Sequence, residues 1–322
     1  MMGKKILEAL LLIGVGGIIG YFLRSVIYND SAPLQIIKGN KDFPYISQQL
    51  DSESVSETTQ GQIVITKSRI NEYIENEIDQ GHATEIAVYY RDLNNGPWMG
   101  INEKTGFSPA SLLKVPILMA VYKIADDNKA FLATKVLNQV LGDGVTPDFV
   151  PSKQMKKGES YTIDELVERM IVYSDNEAKN LILTQMQMSH LEKIYKDLGM
   201  VVPGIIALDD TISVRSYASF FRILYNGSYL SRELSNKALK LLTQSEFKDG
   251  LVAGIPKDIP IAHKFGERGF ADGIKQLHDC GIIYYSENPY ILCIMTRGRD
   301  WNKLSSSIKN ISQIVYEETS QK

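Results

Sequence analysis

The chain has 322 residues, 44% of them hydrophobic, enough to bury one large core or two smaller ones. Its formal net charge of −3 leaves no basic excess for nucleic-acid binding. The only cysteines are Cys280 and Cys293, which excludes a lipid-modified cysteine at the amino terminus, and the four histidines show no metal-ligand spacing.

Lys4 and Lys5 precede a nearly apolar run from Ile6 to Tyr28 that is about the length a bilayer requires. The paired lysines favour a cytoplasmic amino terminus and an exported remainder. Residues 1–28 therefore read as an uncleaved single-pass membrane anchor, with a cleaved signal peptide as the alternative. Residues 29–61 read as a flexible linker, because Asp51 to Gln60 carries one apolar residue and cannot offset its ordering entropy.

Helical spacing covers Ser68 to Gln80, with Gly81 as a stop. Glu85 to Asp92, a turn at Asn94-Asn95-Gly96 and Trp98 to Ile101 form a hairpin signal. A strong helix runs from Leu112 to Ala125, with Pro116 tolerated in its early part. Thr162 to Glu165 is a capping box that opens a helix ending near Tyr173, and further helices follow over 177–186, 189–198, 214–225 and 231–243. Ile261 to Phe265, Lys275 to Tyr285 and Tyr290 to Thr296 read as strands, and Trp301 to Glu318 closes the chain as a helix. Cys280 and Cys293 lie on the last two strands. They are either a cross-strand disulfide or two buried thiols.

Three short patches carry chemistry. Ser111-Leu112-Leu113-Lys114 puts a hydroxyl and an amine one turn apart on one helix face, so the lysine can serve the serine as its base. Ser174-Asp175-Asn176 offers a hydroxyl, a carboxylate and an amide at a break between helices. Lys264-Phe265-Gly266 lies on a strand. In this order the patches resemble the S-x-x-K, S-D-N and K-T-G signature of class A β-lactamases and penicillin-binding proteins, over about residues 62–318.

The resemblance implies an α+β fold: a mostly antiparallel sheet flanked by helices, with an all-α lobe (roughly 111–258) inserted and the site in the crevice between them. It implies Ser111 as nucleophile and Lys114 as its base, made neutral by burial or by the charge of Lys264. Ser174 relays a proton to the leaving group, Asp175 braces the loop, and Asn176 binds the substrate amide. Lys264 holds a substrate carboxylate, Gly266 lets substrate lie against the strand, and the N–H of Glu267 joins that of Ser111 in an oxyanion hole. No cofactor or metal is implied. The expected partner is a β-lactam or a D-Ala-D-Ala-like peptidoglycan peptide.

Two departures stand out. Phe265 replaces a hydroxyl residue, and Arg268 either supplies part of the lost carboxylate binding or caps a turn. The Glu-x-x-x-Asn loop of class A enzymes, which activates the deacylating water, has no counterpart from Gly199 to Ile223. Asp209 and Asp210 are the only carboxylates there, as a replacement base or as a helix N-cap. Acylation is thus provided for and fast deacylation is not, so slow β-lactam hydrolysis is expected. A catalytically degenerate ligand-binding protein of the same fold is the alternative.

Overall fold

The computed structural model describes residues 43–47, 57–94, 96–139, 149–200, 211–286 and 288–320, all of them within one compact unit that spans 41–322. The anchor expected over 1–28 lies outside the described residues. Among the described residues no helix is long and apolar enough to cross a membrane.

Helix α1 (Glu57–Asp79) leads into the hairpin β1 (Glu85–Asp92) and β2 (Trp98–Ile101). A 3-10 turn (Ala110–Leu113) runs directly into α2 (Lys114–Asp127). The short strands β3 (Lys135–Leu137) and β4 (Ser160–Thr162) pair with each other. Next come α3 (Ile163–Val172), α4 (Asn176–Thr184), α5 (Met188–Asp197), α6 (Val214–Asn226) and α7 (Arg232–Thr243). Strands β5 (Ile261–Gly269), β6 (Lys275–Ile283) and β7 (Tyr290–Gly298) and helix α8 (Trp301–Ser320) complete the chain.

The main sheet has the order β2-β1-β7-β6-β5, antiparallel throughout. It joins both ends of the folded chain around the helical insertion, as the element order implied. The sheet is covered on both faces, which is why its strands read as almost continuous apolar runs. Ala87, Tyr89, Ile291, Cys293 and Met295 belong to the core shared with the helical lobe. Their neighbours Ile86, Val88, Tyr90, Leu292 and Ile294 join the core formed with α1 and α8. The period of two along each strand sorts side chains between these cores.

Three expectations are corrected. Residues 43–47 were placed in a solvated linker, yet Ile46 is 3% exposed and packs into the helical-lobe core, and the helix after the linker begins at Glu57. Composition around Asp51 to Gln60 says nothing about the short aromatic stretch upstream. Helix α6 is capped by Ser213, whose Oγ accepts from Ser216 N at 3.2 Å, and not by an aspartate. Asp209 and Asp210 lie outside the described residues. Finally, Ser111 sits in a 3-10 turn that precedes the α-helix.

Cys280 and Cys293 are direct cross-strand partners, with Cα atoms 3.9 Å apart, and form a disulfide. The register of β6 on β7 makes that choice between the two readings.

Candidate active site

Three of the predicted residues converge on the amine of a fourth, Lys114. Lys114 opens α2, and the 3-10 turn before it places Ser111 Oγ 3.0 Å from Lys114 Nζ. From the other side Lys114 Nζ reaches the Ser174 carbonyl at 2.5 Å, Ser174 Oγ at 3.0 Å and Asn176 Oδ1 at 2.8 Å. Lys264 Nζ donates to Ser174 Oγ at 2.9 Å and to the Phe265 carbonyl at 2.9 Å. Ser174 Oγ therefore bridges two lysine amines, both fully buried.

Burial lowers the pKa of Lys114 well below the ordinary lysine range, and the positive charges of Lys264 and Lys179 lower it further, against Asp175 and Glu267. Burial also brings Lys264 down to about 7, with Asp279 and Glu267 opposing. A neutral lysine amine has two N–H groups and one lone pair. The Ser174 carbonyl and Asn176 Oδ1 can only accept, so they take the two N–H groups. The lone pair then faces the hydroxyls of Ser111 and Ser174. That is the arrangement a serine needs to lose its proton on attack.

The Ser-Asp-Asn step is built from two helix ends. Ser174 follows the C-cap of α3 with φ +54°, in the left-handed region where glycine is usual. Asp175 is the N-cap of α4, its carboxylate accepting from Ala178 N at 3.0 Å, which is the bracing role expected of it. Ala110, next to the nucleophile, also has a positive φ of +47°. Non-glycine residues in this region cost about 1–3 kcal/mol each and persist where the surroundings fix them.

The surroundings are visible at Ser108. Its N–H donates to Gln276 Oε1 at 2.9 Å, its carbonyl accepts from His278 Nε2 at 3.0 Å, and its hydroxyl accepts from Arg268 Nη1 at 2.7 Å. All three partners come from β5 and β6. Burial lowers the pKa of His278 to about 4, so the ring is neutral with its proton on Nε2. Sequence reasoning missed this bracket and Lys179. Gln276 and His278, two apart on one strand face, were the only signal for it.

Gly266 lies where β5 crosses the nucleophile's turn. A Cβ there would stand 3.1 Å from both Leu112 N and Pro109 O, so the glycine admits the turn itself. Phe265 points to the opposite face. It stacks on Phe247 at 4.2 Å, meets Phe149 edge-on at 5.1 Å, and has Lys264 Nζ 4.0 Å from its ring centroid. Arg268 holds Ser108 and also lines the site. Glu267 accepts from Phe149 N at 3.0 Å through its carboxylate. His263 is paired with Asp279 at 2.8 Å, both fully buried, away from Ser111.

A cavity of about 390 Å³ opens beside these groups. Ser111, Lys114, Asn176, Lys179, Glu267 and Arg268 line it together with apolar side chains of α2, α4 and α5.

The sequence profile of the beta-lactamase enzyme family matches residues 67–319. The chain belongs to this family. A beta-lactamase of Streptomyces lavendulae is 24% identical over 242 residues, which cover 69% of this chain and 77% of that protein. Among solved structures, a point mutant of PBP-A, an acyl-enzyme complex with penicillin G, superposes with a TM-score of 0.68 at 23% identity, covering 80% of this chain and 97% of that one. A class A beta-lactamase from Mycobacterium abscessus gives 0.67 at 20% identity, covering 78% and 99%. At these identities the superpositions carry the fold, a mixed α/β architecture with an antiparallel sheet flanked by helices, and the profile carries membership of a serine hydrolase family.

Proposed function

We propose that Ser111 forms an acyl-enzyme with β-lactams or with D-Ala-D-Ala-like peptidoglycan peptides, and that this intermediate is hydrolysed slowly. The observation that carries the reading is the buried Lys114 amine 3.0 Å from Ser111 Oγ, with its pKa pushed well below the ordinary lysine range by burial and by the charges of Lys264 and Lys179. In the reaction Ser111 Oγ attacks the acyl carbon and its proton passes to Lys114. Ser174 delivers a proton to the leaving nitrogen, supported by Lys264, and the amide N–H₂ of Asn176 holds the substrate. The 3-10 turn that carries Ser111 runs directly into the N-terminus of α2, and the positive end of that helix favours developing negative charge nearby.

The slow second step follows from the lining of the cavity. Its single carboxylate among the described residues is Glu267, whose Oε1 already accepts from Phe149 N. Loss of a positioned general base slows deacylation by about 10²–10⁴-fold. Slow release favours a peptide acyl transfer over β-lactam defence as the natural role. The disulfide supports an oxidising, extracytoplasmic location, consistent with an anchor over residues 6–28 in a bacterial membrane.

The test is intact-mass analysis of the full chain incubated with penicillin G over time. The expected result is one lasting adduct, absent in Ser111→Ala. Rapid loss of drug without an adduct overturns the slow-release reading. Absence of both adduct and turnover favours ligand binding without catalysis, or a substrate unlike penicillin.

A further inference from the structure

Phe265 stands where the family signature has a hydroxyl, and its surroundings show what the exchange does. Lys264, to which the resemblance gives a substrate carboxylate, is 0% exposed. Its Nζ donates to Ser174 Oγ and to the Phe265 carbonyl, and it lies 4.0 Å from the centroid of the Phe265 ring. The charge of Lys264 thus faces a neutral π surface instead of a hydroxyl that could share an anion with it. Burial brings this amine to a pKa of about 7, so at pH 8 most of it carries no charge with which to hold a carboxylate.

Behind the Phe265 ring a second cavity opens, of about 510 Å³. Phe247, stacked on Phe265 at 4.2 Å, and Phe149, edge-on to it at 5.1 Å, line this cavity with Leu277 and Trp301. Leu277 is the cross-strand partner of Glu267, and Glu267 lines both this cavity and the one beside Ser111. The second cavity therefore borders the site on the side of Phe265 and Lys264, the side from which Ser174 protonates the leaving group. Its charged lining among the described residues is Asp249 and Glu267 against Lys309, and neutral polar side chains of α8 line it as well. Arg268 lines the first cavity, where Ser108 Oγ accepts from it. A carboxylate entering the second cavity would give up water and meet more negative charge than positive.

We propose that the leaving-group side of this site takes donors whose leaving group is neutral, as in an amide within a chain or an esterified carboxylate, and that Phe265 sets this preference. This rests on Ser111 being the nucleophile. The Ser111 Oγ–carbon bond forms and the bond from that carbon to the leaving nitrogen or oxygen breaks. The Ser111 proton passes to Lys114 and through Ser174 Oγ to the leaving atom. A carboxylate on the leaving group takes no part in these steps.

The full chain is incubated at pH 8 with an equimolar mixture of penicillin G and its methyl ester, with Ser111→Ala as control. Intact mass at early times separates the two adducts by one methylene. The ester adduct is expected to equal or exceed the acid adduct. A site that holds the carboxylate favours the acid by about tenfold or more, the worth of a hydrogen bond to a charged group. Phe265→Thr, which returns the hydroxyl, is expected to shift the ratio about tenfold toward the acid. An acid adduct more than about threefold above the ester in the native chain overturns the proposal while the Ser111 acyl-enzyme stands, and this ratio decides the matter if the variant fails to fold. A ratio that a folded Phe265→Thr leaves unchanged overturns the role of Phe265. No Ser111-dependent adduct with either compound overturns the nucleophile reading and this inference with it.

Discussion

Lys264 is a fully buried lysine, and its titration sets a stability signature. Its folded pKa is about 7, against 10.5 in an open chain. Between these values the unfolded chain binds a proton that the folded chain does not, so stability rises with pH across that window. Below about pH 7 both states are protonated and the full cost of burying the charge is present. Replacing Lys264 with Met is expected to flatten the rise and to raise Tm at pH 6 by several degrees, while acylation is lost. Thermal unfolding at pH 6, 8 and 10 checks this. A lower Tm at every pH would show that the hydrogen bond to Ser174 outweighs desolvation. At Lys114 the sign appears in the rate. The amine accepts the Ser111 proton only when neutral, so acylation increases as pH rises through its lowered pKa. Lys114→Arg, which cannot deprotonate, should slow acylation by about 10²–10⁴-fold, as read by stopped-flow with a chromogenic cephalosporin. The pairing of Ser111 with Lys114 was legible because an i,i+3 spacing on a helix has one meaning in space. The bridge from Ser174 to Lys264 needed the family signature, because 90 residues separate the partners and no local rule joins them. Arg268 was singled out, though not its bond to Ser108, and Lys179, Gln276 and His278 were not, since only tertiary packing brings them near Ser111.

At the level of elements, the decisive contact is β5 against the 3-10 turn at 110–113. Strand boundaries for β1, β2, β6 and β7 could be read closely, because strands covered on both faces are apolar runs ended by turns. The helix was read from Leu112 with Ser111 at its mouth, because nothing in Ala110-Ser111-Leu112-Leu113 announces a 3-10 turn or a positive φ at an alanine. Gly266→Ala tests the contact. The added Cβ would stand 3.1 Å from Leu112 N and Pro109 O, both in the turn, so strand and turn must part by a few tenths of an ångström. Acylation is expected to fall by about tenfold to 10²-fold, since small displacements of a nucleophile are amplified in the rate. Unfolding by denaturant alongside the rate separates misplacement from collapse. The disulfide belongs to this scale too. It closes a loop of sequence separation 13 between strands already in register. The double variant Cys280→Ala with Cys293→Ala is expected to lose about 3 kcal/mol by the chain-entropy relation. A midpoint shift in urea unfolding with unchanged slope would confirm it.

Across the whole molecule, the fold is held by two cores on either side of one sheet, and the segment at 43–47 belongs to the first of them. Phe43 lies under the guanidinium of Arg232, and Tyr45 N donates to Asn236 Oδ1 at 3.0 Å. Tyr284 donates its hydroxyl to the Tyr45 carbonyl at 2.9 Å, and Ser47 N donates to the Tyr225 carbonyl at 2.6 Å. Ile46 Cδ1 rests near Gly227, the left-handed cap of α6. The segment thus ties α6, α7 and the end of β6 together, far along the chain from the catalytic patches. Its docking could not be read from the sequence because five residues have no periodicity and their partners lie some 180 to 240 residues away. If it is part of the core, Ile46→Ala removes a buried side chain whose loss costs about 2 kcal/mol at the low end of the usual range, since the segment can shift to fill the gap. For a domain of this size that is a fall in Tm of about 4–8 °C. The rate of penicillin acylation should stay within about twofold, because none of these contacts reaches Ser111. An unchanged Tm would mean that the segment is free in solution and that the folded part begins with α1. A fall in both Tm and rate would mean that the end of β6 and the helical lobe transmit strain to the crevice, and Tyr284→Phe, which removes only the hydrogen bond to Tyr45, would then locate the path.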